Sequence, residues 1–378
     1  MPTPNPPTLL HDPTNPATPA AFPTFNRVLR EIAQAQSSIH IHMYVWRNDA
    51  IGNQIGQSLL VAAQRGVKIH ILKDKGAIMF ERIEMNQKSF FHTKLPKLKT
   101  LTLSFVGRTF PDTYIKDDHT PKLGQALAAH PNVTLSWIGK THTKYYLFDD
   151  HVLLTGSINI EDRHTRYLDY MVALEGQEHI ERFQARLARK VSFDPARSID
   201  FLCNNHHHDG TKTFEIKPAL LDALDTARSN VYIEMAYLGD DDITCAIINA
   251  ARRGVKTIIL FSKEANVGND INYRTIHYIA SRAPVEVYLT PRMIHSKLIR
   301  IDNTRVITGS CNFSVFSLQK AGELNLHIQN HPEFLATLEK LIQSRLNASQ
   351  KVSSPGDLKA YNPLIASLQQ FHQKWNPN

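Results

Sequence analysis

Two segments of the sequence carry the same reactive side chains at the same spacing. Each has a histidine, a lysine two residues later and an aspartate five residues after that, followed by a Gly-Ser-x-Asn turn. The residues are His142, Lys144, Asp149, Ser157 and Asn159 in the first segment and His295, Lys297, Asp302, Ser310 and Asn312 in the second. Six specified residues match a window by chance only about once in 10⁷–10⁸, so two matches in one chain indicate a functional motif.

These side chains favour chemistry on a phosphodiester. A neutral imidazole can attack phosphorus, and a second, protonated imidazole can give its proton to the leaving alkoxide. The lysine ammonium groups, with Ser157, Asn159, Ser310 and Asn312 as phosphate-binding groups, would neutralise the non-bridging oxygens as charge accumulates on them. Such a reaction uses no Lewis acid, so we expect neither a catalytic metal nor another cofactor.

Local patterns predict how the chain positions these groups. His142 and Lys144 are two residues apart on a predicted strand, so their side chains share one face of it. Asp149 and Asp302 stand where a turn is predicted before a returning strand, which makes each motif a hairpin. The Gly-Ser-x-Asn turn is then predicted to open a helix, whose free N–H groups would face an anion.

Around the motifs the chain repeats a strand–helix–strand pattern. The first copy has predicted strands at 39–44 and 69–72, and the second has predicted strands at 231–235 and 258–261. In each copy a helical pattern and an Arg-Gly-Val-Lys sequence separate the two strands. Strand–helix–strand units imply parallel strands in an α/β sheet, and two copies suggest a duplication.

The doubled motif and the repeats resemble the phospholipase D superfamily, in particular its bacterial cardiolipin synthase and phospholipase D-like branch, over most of residues 26–345. The resemblance implies an α/β fold of two phospholipase D-like α/β/α sandwich halves, related by a pseudo-twofold axis, with one active site shared at their interface. It also implies that the histidine, lysine and aspartate of each motif are catalytic.

The resemblance suggests a role for individual residues as well. His142 would be the nucleophile and His295 the acid, although the near-symmetry of the two motifs leaves this assignment open. Asp169 and Glu323 would each orient the histidine of the opposite motif. Asp169 stands where the family more often has glutamate, which shortens its reach by one methylene.

Two classes of function follow from the resemblance. The first is an enzyme that cleaves or transfers phosphatidyl groups of phospholipids through a phosphohistidine intermediate and is active as a monomer. The alternative is a nuclease or nucleic-acid phosphodiesterase of the same superfamily, many of which are short chains with one motif. Lys and Arg outnumber Asp and Glu by 43 to 35, a net charge of +8, and this charge favours an anionic partner of either class.

Composition also limits where the protein works. Three cysteines are too few and too scattered for a disulfide framework or a CxxC zinc site, and no apolar run approaches the ~18–20 residues of a membrane span. The first residues lack the basic start and apolar core of a secretory signal. We therefore expect a cytoplasmic protein that contacts the inner face of a membrane peripherally.

The chain divides into four predicted segments. Residues 1–25 are a proline-rich leader, expected to be extended and disordered. Residues 26–195 form the first half and 196–345 the second. Residues 346–378 form a tail with a short amphipathic helix around Pro363–Phe371.

The first half carries an insertion at about 78–119 that is rich in phenylalanine and basic residues. One interpretation is an interfacial segment whose aromatic side chains enter lipid and whose cations meet anionic headgroups. A second is a loop that packs its phenylalanines on its own domain, and a third is stacking on nucleic-acid bases. The pattern does not choose among the three.

A run of three histidines and an aspartate, 206–209, lies between the halves. Adjacent residues point apart and rarely bind one ion together. We interpret the run as a linker loop with no role in catalysis.

Overall fold

The computed structural model describes residues 5–11, 21–78, 81, 89–91, 122–266 and 268–375. The chain folds into two compact units, and neither is continuous in sequence. The smaller unit comprises Asp12–Leu154 and Ile158–Thr165. The larger unit comprises Met1–His11, Thr155–Ser157 and Arg166–Asn378.

The described chain contains sixteen strands and ten α-helices. Up to residue 165 they are β1 (Thr8–His11), α1 (Pro23–Gln34), β2 (Ser38–Met43), α2 (Ala50–Gln64), β3 (Lys68–Asp74), α3 (Lys122–Ala129), β4 (Val133–Ile138), β5 (Tyr145–Phe148) and β6 (Val152–Gly156). After residue 165 they are β7 (Tyr170–Glu175), α4 (Gln177–Leu187), β8 (Ile199–His206), β9 (Lys212–Phe214), α5 (Ile216–Asp225), β10 (Asn230–Met235), α6 (Asp241–Arg252), β11 (Lys256–Ser262), α7 (Asn269–Ala280), β12 (Val285–Thr290), β13 (Lys297–Ile301), β14 (Arg305–Gly309), α8 (Val315–Gln319), β15 (Glu323–Gln329), α9 (Pro332–Asn347), β16 (Gln350–Lys351) and α10 (Pro363–Trp375).

In the smaller unit the strand order is β6-β5-β2-β3-β4. Strands β2, β3 and β4 are parallel, and β5 runs antiparallel to β2. The alternating apolar residues Ile39, Ile41 and Met43 of β2 are buried, as their period of two requires. The side chain of Asp49 caps α2 by accepting the Gly52 N–H at 3.0 Å.

The larger unit contains a nine-stranded sheet in the order β16-β12-β11-β10-β13-β14-β15-β8-β9. Strands β10, β11 and β12 are parallel, while β13, β14, β15 and β8 follow antiparallel to one another. Asp240 caps α6 by accepting the Ile243 N–H at 3.1 Å, as Asp49 caps α2. The predicted α/β class, the parallel strand pairs of the two repeats and the hairpin of the second motif are confirmed.

The structure differs from the prediction for the leader and agrees with the prediction for the tail. Thr8–His11 of the leader are an ordered strand, β1, which pairs antiparallel with β7. Proline is missing from these four residues, so their N–H groups remain available for a sheet. In the tail the predicted helix is confirmed and extends to Trp375.

The predicted boundary at 195/196 also differs from the structure, since residues 166–195 belong to the larger unit. Helix α4 is tied to β8 by the Arg182 Nε–Asp200 Oδ1 bond of 2.9 Å and by Arg186 Nε, which donates to the Phe201 carbonyl at 3.0 Å. Both arginines therefore hold residues after the first motif against a strand of the second half.

Within the insertion, Phe90 and Phe91 are buried in the smaller unit. The Phe90 ring stacks on Trp46 at 5.0 Å between centroids, and the Phe91 ring meets Trp46 edge-on at 5.2 Å. Gly56 of α2 leaves room for the Phe90 ring, because a Cβ there would lie 2.4 Å from Phe90 Cζ. For these two residues packing on their own domain is the correct interpretation. Residues 79–80, 82–88 and 92–121 lie outside the described residues.

Among the described helices, none combines the length and the apolar character that crossing a membrane requires.

We expect Phe90→Ala to lower the free energy of unfolding by about 3–5 kcal/mol, because it empties the space between Trp46 and α2. Val61→Ala is the matched control, since Val61 lies on α2, the helix against which Phe90 packs, and is 42% exposed. Denaturant unfolding of both variants measures the difference. A Phe90→Ala protein as stable as the control would contradict this packing role.

Candidate active site

The backbone around His295 fixes this residue at the start of β13. Its N–H donates to the Leu168 carbonyl at 2.9 Å, and the Ile294 N–H donates to Ser262 Oγ at 2.7 Å. The side chain is mostly buried, and its ring lies beside that of Tyr167. The position of the imidazole is therefore set by two other segments of the larger unit, Tyr167–Leu168 and the end of β11 at Ser262.

The imidazole of His295 pairs with the carboxylate of Asp169. Its Nδ1 lies 2.9 Å from Oδ2 of Asp169, a residue with no exposed surface. The other oxygen, Oδ1, accepts the Tyr170 N–H at 2.9 Å and the hydroxyl of Ser157. A carboxylate at Nδ1 keeps the hydrogen on that nitrogen, so Nε2 is the atom left for chemistry.

Lys297 follows His295 on the same side of β13. Its Nζ donates to the His295 carbonyl and lies 3.3 Å from His295 Nδ1. Burial lowers the pKa of Lys297 to about 8, against the opposing effect of the negative charges of Asp169 and Glu323. The charge of this ammonium group therefore changes close to neutral pH.

The motif serines face the acids that follow them. Ser310 donates its hydroxyl hydrogen to Glu323, as Ser157 does to Asp169. A serine has one O–H to donate, and in this structure both hydroxyl hydrogens go to the acids; phosphate binding by Ser157 and Ser310 stays a prediction. In this arrangement the serines hold the two acids.

The asparagines of the motifs have different surroundings. Asn312 is buried, and its Oδ1 has no hydrogen-bond partner among the described residues. Asn159 Oδ1 accepts the Val45 N–H at 3.1 Å. Of the two asparagines, Asn312 is thus the one whose buried amide oxygen can still accept a hydrogen bond.

The turns do not open helices directly. Helix α8 begins at Val315 with Ser314 as its cap, and a 3-10 helix at Asp162–Arg166 follows the first turn. Glycine is required in both turns because neighbouring backbone is close: a Cβ on Gly309 would lie 2.3 Å from the Leu324 carbonyl oxygen, and one on Gly156 would lie 2.9 Å from that of Tyr170.

In the smaller unit the first motif has the same local form. Lys144 is buried at the start of its hairpin, and its Nζ donates to the His142 carbonyl at 2.5 Å. The ring of His142 lies edge-on to that of Tyr44, with centroids 4.6 Å apart. Lys144 Nζ is also 5.2 Å from the centre of the Tyr44 ring. Tyr44 therefore contacts both predicted catalytic side chains of this unit.

The motif aspartates lie at the other end of their strands. Asp149 accepts the N–H groups of Gln36, Ser37 and Ser38 at 2.8–2.9 Å, and Asp302 likewise accepts those of Arg228, Ser229 and Asn230. Partial burial opposes the charge, but these backbone donors lower the pKa of both carboxyl groups. Seven residues at ~3.3 Å each separate Asp149 from His142 along the chain, about 23 Å if fully extended. Asp149 and Asp302 anchor the turns before β2 and β10, and their catalytic role stays a prediction.

A buried network behind His295 was not found from the sequence. Glu234 on β10 is fully buried and pairs with Arg345 of α9. Its carboxylate also accepts the hydroxyl hydrogens of Ser296 and, at 2.8 Å, of Tyr232. Arg345 Nη2 in turn donates to the Asp169 carbonyl at 3.3 Å. The feature of the sequence that could have indicated this network is Glu234, an acid within the otherwise apolar segment VYIEM.

The first repeat has a different residue at the place of Glu234. His42 occupies that position on β2, is buried, and lies 3.1 Å from Thr141 Oγ1. Burial, with a smaller effect of the Lys144 charge, lowers the pKa of His42 to about 3. The imidazole of His42 is neutral at physiological pH. The first motif therefore has a neutral side chain at the strand position where the second motif has the charged pair of Glu234 and Arg345.

The residues of the histidine run have separate partners. His206 Nε2 lies 2.6 Å from the Lys320 carbonyl, and His207 Nε2 lies 2.8 Å from Thr213 Oγ1. Asp209 pairs with Arg189. The run forms the end of β8 and the turn to β9.

Comparison with known proteins gives a family match over most of the chain. The family described as "Cardiolipin synthase, PLD-like domain" matches residues 28–191 and 220–346. A phospholipase D of Rickettsia bellii is 35% identical over 106 residues, which are 28% of this chain and 51% of that protein. A cardiolipin synthase of Clostridium perfringens is 24% identical over 339 residues, which are 81% of this chain and 65% of that protein. The chain thus spans about half to two thirds of the length of these relatives.

Among solved structures, the phosphatidylserine synthase of Haemophilus influenzae has a similar fold. The match has a TM-score of 0.66 at 12% identity and covers 98% of this chain and 96% of that one. At this identity the likeness extends to the fold alone.

We expect the affinity for an oxyanion to fall as the pH rises through about 8, because Lys297 loses its charge there. Sulfate is the probe, since its own charge is constant over this range, and calorimetric titration between pH 6 and 10 measures its dissociation constant. Lys297→Arg should keep its affinity through pH 8, and Lys297→Met should bind weakly throughout.

Unfolding does not explain such a loss of affinity. The pKa of Lys297 is lowered on folding, so the unfolded chain binds more protons between about 8 and 10.5, and this group's contribution to stability rises with pH there. An affinity for sulfate that is equal at pH 7 and pH 9 in the unchanged protein would contradict the assignment.

Proposed function

Because the chain belongs to the cardiolipin synthase-type phospholipase D-like family, we propose that it is a phosphodiester-processing enzyme that cleaves or transfers phosphatidyl groups of phospholipids. The observation that carries the proposal is the pair of His295 and Asp169 beside the buried Lys297, in the second copy of a doubled motif. The relatives' names support a phospholipid rather than a nucleic-acid substrate.

In the proposed first step, Nε2 of His142 attacks phosphorus, and the bond from phosphorus to the leaving alkoxide breaks. The alkoxide takes its proton from Nε2 of His295, so the enzyme carries a phosphohistidine and a neutral second imidazole. Asp169 supports the acid role of His295, since a carboxylate at Nδ1 stabilises the imidazolium before it gives up its proton.

In the second step, water or an alcohol attacks the phosphohistidine. His295 accepts the proton of the attacking hydroxyl, and the N–P bond to His142 breaks. Water gives hydrolysis and an alcohol gives transfer of the phosphatidyl group. Lys144 and Lys297 would stabilise the charge on the non-bridging oxygens in both steps, and Asn312 would donate an amide hydrogen to one of them.

The remaining predicted roles are indirect in this proposal. Asp149 and Asp302 anchor turns, Ser157 and Ser310 hold the acids, and Glu323 orients the histidine of the first motif. We place the reaction in a monomer on the cytoplasmic face of a membrane, where its substrate would lie.

We expect the protein to convert phosphatidylglycerol in mixed vesicles in the presence of excess EDTA, because imidazole and ammonium groups supply the chemistry. Mass spectrometry of the lipids, with and without added alcohol, identifies hydrolysis and transfer products. Single-stranded and plasmid DNA are incubated in parallel. Cleavage of DNA with unchanged lipids would replace the proposal by the nuclease alternative, and a reaction that needs added divalent metal would overturn the mechanism.

His142→Ala should abolish turnover, because no other proposed group can form the covalent intermediate. His295→Ala should slow the reaction by about 10²–10⁴-fold, the usual contribution of a general acid, and leave an adduct on His142 that a denaturing quench preserves. Peptide mass spectrometry locates the adduct. An adduct on His295 in the His142→Ala protein would invert the two roles, and near-normal rates in either variant would refute the mechanism.

A further inference from the structure

Helix α10 turns an apolar face to solvent. Leu364, Leu368 and Phe371 are 69%, 59% and 57% exposed and recur at the spacing of one helix face. Ile365, also exposed, borders them. Over the described residues, the other large apolar side chains with comparable exposure are Val61 and Tyr278. Within the described part of the chain, the exposed large apolar side chains are thus concentrated on one helix, and we call these four residues the α10 face.

The opposite side of α10 is the one that packs on the protein, and it is polar. Gln369 Oε1 accepts the Ile271 N–H at 3.1 Å, and Gln370 Nε2 donates to Asp241 at 3.2 Å. Ala366, on the same side, is fully buried. A surface helix of a globular protein normally has the reverse orientation. These hydrogen bonds fix the helix with its apolar face outward.

The helix lies at the sheet edge that holds the second motif. Its partners Asp241 and Ile271 are at the beginnings of α6 and α7, which follow the carboxyl ends of β10 and β11. At that same edge Met235 of β10 pairs with Lys297, and β14 ends at Gly309 beside Ser310. Helix α10 therefore lies at the same end of these strands of the larger unit as Lys297 and Ser310.

Ion pairs balance the charges beside the α10 face, while the chain as a whole carries a net charge of +8. Residues 358–378 contain Lys359 and Lys374 and no acidic residue. The nearest acids on neighbouring elements are engaged: Asp241 pairs with Lys374, Glu264 pairs with Lys359, and Asp270 accepts the Asn362 N–H at 2.6 Å. Repulsion of an anionic surface by these acids is thereby reduced.

The α10 face is small for a protein partner. Four partly exposed side chains offer on the order of 100 Å² each, about half of the ~800 Å² that each partner buries in a standard interface. A lipid surface needs no such area, since an interfacial helix only sinks its apolar face about 5–10 Å into the headgroup boundary. The area thus favours lipid over a second copy of the chain, and the net charge of +8 favours an anionic lipid.

We propose that α10 docks the protein on an anionic phospholipid surface through Leu364, Leu368 and Phe371. The inference rests on the proposed function, in which docking would bring the second motif close to its phospholipid substrate in the membrane. Binding to vesicles is measurable without turnover, so the two proposals can fail separately.

The test is the double variant Leu364→Ser, Leu368→Ser, with Val61→Ser as the control at an exposed valine of the smaller unit. Binding to vesicles of phosphatidylglycerol and phosphatidylcholine is measured by flotation, beside cleavage of the soluble diester bis(p-nitrophenyl) phosphate and the melting temperature. We expect vesicle binding to weaken by more than about tenfold in the double variant only. Cleavage of the soluble diester and the melting temperature should stay close to those of the control.

Leu368→Trp provides the reciprocal test and should tighten vesicle binding several-fold, because tryptophan favours the membrane interface. Equal vesicle binding by the double variant and the unchanged protein would overturn the proposal. So would a dimer of the unchanged protein that the double variant loses while it still binds vesicles. If the unchanged protein binds vesicles through the α10 face but converts none of their lipid, the docking stands and the proposed function fails.

Discussion

The hydrogen bond between His295 and Asp169 is the interaction on which the second motif depends. A carboxylate without exposed surface is costly to bury unless donors occupy its oxygens. The Ser157 hydroxyl, the Tyr170 N–H and the imidazole provide those donors, and Arg345 holds the carbonyl of the same residue. The need of the buried Asp169 carboxylate for these donors explains why residues that follow the first motif pack with the second half of the chain.

The two copies of the motif share their spacing and differ in what lies beneath them. In the larger unit the charged pair of Glu234 and Arg345 supports the segment between histidine and lysine. In the smaller unit a neutral His42 occupies the corresponding strand position. Buried charge close to an imidazole changes the relative stability of its two protonation states. The duplication has thus kept the reactive groups while their electrostatic surroundings diverged.

The sequence predicted those features that depend on local spacing. The parallel repeats, the hairpin of the second motif and the helix at Pro363 follow from periodicity and turn residues, and the structure contains all of them. Long-range partners were beyond such patterns. Arg345 comes from a helix some fifty residues after His295, and no local signal connects the two. The family pattern suggested Asp169 for a histidine, whereas the role of the motif serines depends on which acid each one faces.

The insertion and the motif aspartates show a second limit of sequence patterns. The type of a residue limits the interactions that its side chain can make, while its position in the fold determines which of these interactions it makes. Phe90 and Phe91 are as suitable for lipid as for a core, and only the contact with Trp46 decides between them. Asp149 and Asp302 belong to the motif in sequence, yet strand length carries them away from the histidines to the turns that they anchor.

The discontinuous units have a consequence for recombination among relatives. A chimera joined at 195/196 would appear to exchange complete halves, since each parent would supply one whole motif. It would nevertheless take β7, α4 and Asp169 from one parent and His295 from the other. The residues that have to match across such a junction are the arginines of α4 and their acceptors on β8, together with the carboxylate and the imidazole. The larger unit consists of residues 1–11, 155–157 and 166–378, so a single crossover that keeps Asp169 with His295 and residues 158–165 with the smaller unit falls at 165/166.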